Sequence, residues 1–218
     1  MARGVDVISR KKDMANFERM IPLIMHFAAG VYGDEGKDLS LPYDEQFRRA
    51  RIKGWSDDKD DPGGETMIDV TLTTYKSWCR QNGRREPSPS DLRNISYGDW
   101  RDVLKRMFWD RCRGDEIESQ GLANLIVDWI WGSGAARIKD VQWIAGVKTD
   151  GIVGKDTLRA LNGGIPEELF SKIYIARVCH YRKSKVAWKY MKGWLRRLEA
   201  IRPDGTFLIY GRRIVPFS

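Results

Sequence analysis

From Ser119 to Gly132 the apolar residues Leu122, Leu125, Ile126, Trp129 and Ile130 recur at helical spacing and form one amphipathic stripe. No strand accommodates that period, and similar patterns run along much of the chain. They predict helices over 72–81, 90–94, 96–109, 138–144, 155–162, 166–183 and 186–201. Residues 16–29 read as a further helix, with Asn16 as N-cap and Pro22 marking either its start or a bend. Asn162-Gly163-Gly164 stops one helix, and Pro166 suits the first turn of the next. Between Gly30 and Gly64 the periodicity collapses into Gly, Asp, Lys and Pro, leaving a long loop in which only 43–52 looks helical. The tail 202–218 reads as extended, turning at Pro203-Asp204-Gly205. The expected class is mainly α.

The composition excludes several functions. With 218 residues, 42% of them hydrophobic, and nine Trp, the chain can bury one sizeable core or two small ones. The longest apolar stretch, from Met20 to Val31, is too short to cross a bilayer. The N-terminus lacks an apolar segment followed by a small-residue cleavage site and does not read as a secretory signal. Three cysteines, Cys79, Cys112 and Cys179, match neither a zinc site nor a disulfide framework, and two histidines are too few for a His-based metal centre. Neither a metal nor a cofactor is expected. The formal net charge of +8 favours an anionic partner. Its basic residues are dispersed and no nucleic-acid motif accompanies them, so nucleic acid is not the expected partner.

Two strings are specific enough to carry chemistry. Asp57-Asp58-Lys59-Asp60-Asp61-Pro62-Gly63-Gly64-Glu65-Thr66, continued by Val70-Thr71, is an acidic turn. Its spacing does not fit a helix-loop-helix calcium site. Gly146 to Leu158, containing Asp150-Gly151-Ile152-Val153-Gly154, is a glycine-rich turn capping a helix, and it lacks the order of a phosphate loop. Trp55, beside the acid cluster, is the first candidate for stacking on a sugar, whereas Trp129, Trp131 and Trp143 read as core.

Together these strings resemble the glycoside hydrolase family 108 lysozymes with the peptidoglycan-binding domain that commonly follows them. The resemblance runs from about Phe17 to Ile201 and includes Met20-Ile21-Pro22, Phe108-Trp109-Asp110, Ala123 to Trp129 and Gly193-Trp194-Leu195. It implies a lysozyme-like helical fold, with a muramidase domain at 17–106 and a small helical peptidoglycan-binding part at 107–201 ahead of the tail. It also implies bacterial peptidoglycan as partner and hydrolysis of the bond between N-acetylmuramic acid and N-acetylglucosamine. That reaction needs a carboxylic acid to protonate the leaving oxygen and a second group to hold water or stabilise the sugar cation.

The resemblance assigns the acid to a Glu near the end of the first helix, where this chain has Phe27-Ala28-Ala29-Gly30. Ala28 has no proton to give. Asp61 and Thr71 match the family's Asp and Thr, and Glu65, Trp55 and Asp150 are candidates for substrate contact. Met67-Ile68-Asp69 replaces the polar residue and glycine usual before that Thr. The interval from Ala28 to Asp61 is also longer than the family's, through an insertion at about 34–53. That insertion can cover the cleft, dock an immunity or other partner protein, or supply a substitute acid such as Glu35 or Glu45. Either the natural protein carries Glu at position 28 and this chain is an inactivated variant, or the protein is a pseudo-lysozyme that binds without cutting. The absence of a signal fits delivery from the cytoplasm to the periplasm or cell wall by phage lysis or a secretion machine.

Overall fold

A computed structural model describes residues 14–29, 41–61, 63–209 and 211–214. Glu35, Pro62, the N-terminal segment, the first part of the expected insertion and the end of the tail lie outside the described residues.

A 3-10 turn at Phe17–Met20, capped by the Asn16 side chain, leads into α1 (Ile21–Ala29). Pro22 falls in the first turn of α1, where its missing N–H has no intrahelical partner to lose. Helix α2 (Tyr43–Ala50), within the expected insertion, packs on α1. Three strands, β1 (Trp55–Ser56), β2 (Thr66–Met67) and β3 (Val70–Thr71), form an antiparallel sheet in that order, with Trp55 opposite Met67 and Met67 opposite Val70. The sequence reading left β1 in a loop, because a two-residue strand shows no alternation.

Ile68 and Asp69 form the two-residue turn between β2 and β3, and both are left-handed, at φ 47° and 62°. Such a turn favours Asn or Gly, and a β-branched residue there carries backbone strain. Tertiary contacts hold Ile68 in place. Its side chain is fully buried, its N–H donates to Gly54 O at 2.8 Å, and its carbonyl accepts from Trp100 Nε1 at 3.0 Å. Gly54 is required for this arrangement, since a Cβ there would lie 2.5 Å from Ile68 Cγ1 and 2.9 Å from Ala50 O.

Thr71 caps α3 (Leu72–Gln81), and Ser88 with Asp91 forms a capping box at α4 (Pro89–Arg93). Helix α5 (Tyr97–Leu104) runs into a π-type turn at Lys105–Trp109. Helix α6 (Gln120–Ser133) is the central element, buried from Gly121 to Trp131 and packed against α7 (Arg137–Ile144) and α9 (Pro166–Arg182). Helix α8 (Lys155–Gly163) rests on α9, and α10 (Ala187–Ala200) packs beside α9. The tail closes as a hairpin of β4 (Phe207–Ile209) and β5 (Arg212–Ile214). The fold is mainly α, as the helical periodicity predicts.

One core assignment is corrected. Trp129 and Trp131 are buried, but Trp143 is 76% exposed, because α7 is short and turns Val141 and Gln142 inward instead. Among the described residues, no helix is long and apolar enough to cross a membrane.

Candidate functional site

The motif that carries the resemblance on α6 is structural. Asp128 is wholly buried and accepts from Arg177 at 2.5 Å and from Arg197 at 2.7 and 2.8 Å. Burial alone would push the Asp128 carboxyl up, yet the two guanidiniums outweigh it and hold the group below the usual carboxylate range. Arg197 continues to Asp69 at 2.6 Å, and Trp131 Nε1 donates to the same carboxylate at 3.2 Å. Arg177 Nε donates to Tyr181 Oη at 2.6 Å. This chain of polar contacts joins the strained hairpin turn to α6, α9 and α10.

Above the network lies a cavity of about 520 Å³. One side is made by Asp61, Gly63, Thr66, Asp69 and Thr71, and the other by residues of α9 and α10, including His180, Tyr181, Tyr190 and Trp194. Asp61 and Thr71, paired by the sequence reading, meet across Gly63. A Cβ on Gly63 would lie 3.2 Å from Asp61 Oδ1 and 3.3 Å from Thr71 Cγ2, so a side chain there would press both residues apart by a few tenths of an ångström. Gly63 N–H donates to Asp61 Oδ1 at 2.8 Å, which fixes the carboxylate. Thr71 Oγ1 accepts from Thr74 N–H at 3.0 Å and donates to Thr74 Oγ1 at 2.9 Å, so its hydroxyl is held by the start of α3.

The other candidates stand elsewhere. Ala28 lies in the last turn of α1, half-buried against the core, and is not among the described residues lining the cavity. Trp55 sits on β1 with the Arg93 guanidinium 5.3 Å over its ring, also outside the lining. Glu65 precedes β2 and offers its carbonyl to Leu72 N–H at 3.0 Å. Asp150 caps its own turn, accepting from Ile152 N–H and Gln142 Nε2 at 2.9 Å each. Glu45 holds Arg48 and Arg49, and these contacts lower its carboxyl to about 2. It is therefore ionised at neutral pH and has no proton for a leaving group.

Two aspartates of the acid cluster are paired from within the chain. Lys189 Nζ contacts Asp58 at 2.7 Å and Asp60 at 2.8 Å, while Tyr190 Oη donates to Asp58 at 2.7 Å. The Lys189 and Tyr190 hydrogen bonds bring the Asp58 carboxyl down to about 2. His180, also on the cavity wall, has its pKa lowered, first by burial and then by Arg137. Sequence reasoning missed these α9 and α10 residues because a wall assembled from the far end of the chain leaves no local signal. Among the described residues, no three His, Cys, Asp or Glu converge on a metal site.

Comparisons with known proteins agree with this architecture. The sequence model described as "Glycosyl hydrolase 108" matches residues 51–134, and the one described as "Predicted Peptidoglycan domain" matches 137–199. The matched stretches meet just beyond α6, whereas the sequence reading joins the two parts at 106/107. The solved structure of Brucella abortus SagA is similar, with a TM-score of 0.63 and 26% identity, covering 77% of this chain and 97% of its own. No curated protein matches the sequence. Residues 51–134 thus form a glycosyl hydrolase 108 unit, residues 137–199 a peptidoglycan domain behind it, and the two support a peptidoglycan-related, lysozyme-like function.

Proposed function

We propose that the chain seats the peptidoglycan glycan at Asp61 and Thr71, as an N-acetylmuramidase does at its MurNAc–GlcNAc bond, and that hydrolysis is silenced at Ala28. The observation that supports this is the makeup of the cavity. Asp61 and Thr71 stand together on its wall, and the other carboxylate among its described lining residues, Asp69, is occupied by Arg197 and Trp131.

Lysozyme-type cleavage needs two separate roles. A protonated carboxyl gives its proton to the glycosidic oxygen, and a second, ionised group steadies the sugar cation or a water. Asp61, oriented by the Gly63 N–H, suits the second role. Ala28 leaves the first unfilled, and Glu45 does not replace it because two arginines keep it ionised. The chain then binds glycan and leaves it intact. Delivery to the wall by phage lysis or a secretion machine belongs to the same reading.

The test is co-sedimentation with purified sacculi, alongside release of soluble muropeptides. The chain is expected to sediment with the sacculi and to release nothing. Failure to sediment would overturn the glycan reading, and release by the unaltered chain would overturn the silencing.

A further inference from the structure

We infer that Tyr190 and Trp194 on α10 form an aromatic platform against which a sugar ring of an N-acetylated glycan packs, so that the C-terminal unit builds one wall of the glycan cleft. This rests on the peptidoglycan reading and extends it to residues outside the Asp61–Thr71 pair.

Residues 190 and 194 are one helical turn apart and therefore share a face of α10. Their rings stack with centroids 5.7 Å apart at 29°, and Trp194 continues onto Tyr181 at 5.0 Å and 33°. All three line the cavity that Asp61, Gly63 and Thr71 line from the other side. Lys189 Nζ also lies 5.3 Å over the Tyr190 ring, so the rings meet the cavity as one packed apolar wall, against which the C–H groups of a pyranose can rest.

The platform is anchored at both ends. Before it, Lys189 and the Tyr190 hydroxyl hold Asp58 and Asp60. After it, Arg197 holds Asp69 and Asp128. Rings fixed in this way lose little freedom when a ligand arrives.

The remaining lining residues favour a neutral polyhydroxylated ligand over a phosphate. Both lining arginines are engaged by Asp128 or Asp69, and Thr71 is held by Thr74, leaving the Ser184 hydroxyl and the second Asp61 oxygen for hydroxyl and amide groups. The volume of about 520 Å³ falls within the range of roughly 300–1,000 Å³ common for small-ligand sites.

The test is calorimetric titration with an N-acetylglucosamine tetramer, together with sedimentation on purified sacculi. The full chain is compared with Tyr190→Ala, Tyr190→Phe, Trp194→Ala and, as control, Trp188→Ala, whose side chain is exposed outside the cavity. Loss of either ring is expected to weaken tetramer binding about tenfold. Tyr190→Phe, which keeps the ring but loses the Asp58 hydrogen bond, is expected to weaken it by less than that, while Trp188→Ala stays within about threefold. Circular dichroism checks folding, and Tyr190→Ala carries the test alone if Trp194→Ala does not fold. Unchanged affinity in the folded alanine variants, with the parent chain binding, would overturn the platform alone. Absence of parent binding to both ligands would overturn the glycan reading itself.

Discussion

Arg197 on α10 reaches Asp69 in the turn between β2 and β3 at 2.6 Å, and the same guanidinium grips the buried Asp128. One side chain therefore ties the turn beside Thr71 to the helices of the second unit. The cavity is a joint product of both units, and its geometry depends on this network. Replacing Arg197 with Met removes one of the two cations beside Asp128 and releases the turn. Breaking a buried pair in this way is expected to cost on the order of 3–5 kcal/mol, read as a lowered denaturant midpoint. An unchanged midpoint would show that the network does not hold the units together.

The strained turn gives a second prediction. Ile68 occupies a left-handed conformation only because Gly54 leaves room for its side chain. Gly54→Ala places a methyl group against Ile68 Cγ1 and Ala50 O, and overpacking of this kind costs about 1–3 kcal/mol. Thermal unfolding monitored by circular dichroism is expected to shift to lower temperature. Gly64→Ala, where a Cβ meets open space at φ 65°, costs only the smaller backbone penalty.

Acid should open the contact between Asp58 and α10. The Asp58 carboxyl falls from its ordinary 3.8 to about 2, chiefly through hydrogen bonds from Lys189 and Tyr190. A depressed carboxyl stabilises the fold fully above its unfolded value, and that contribution is lost as pH falls from about 4 towards 2. The tryptophan fluorescence of the chain is expected to change through that window. Asp58→Asn, which has no charge to lose, should flatten that part of the titration, and an identical curve in the variant would contradict the assignment.

The helices and the turn at Asp61 were legible in the sequence for physical reasons, whereas Asp61 and Thr71 were singled out as a pair only by the family resemblance. Apolar stripes such as Leu122 to Ile130 must face a core, and Asp-Pro-Gly-Gly must turn. Other features were not legible. Strands of two residues carry no alternation, so β1 was read as loop. Trp143 shares the apolar character of its neighbours, and only the packing of α7 decides that Val141 and Gln142 face inward. The acid cluster near residue 58 gives no sign that Lys189 will pair with two of its aspartates, because that pairing exists only once α10 has docked. Likewise Asp128 sits within the string that carries the family resemblance, yet only its burial between Arg177 and Arg197 assigns it to holding the cavity together.

The central claim is that a lysozyme-type glycan site persists here with its acid missing at Ala28. The most direct measurement is muropeptide release from purified sacculi by the unaltered chain, by Ala28→Glu, and by Ala28→Glu combined with Asp61→Asn. The account predicts no release by the first, clear release by the second, and loss of at least about tenfold of that release in the third. Release by the unaltered chain, or an Ala28→Glu protein that folds and binds sacculi yet releases nothing, would contradict it.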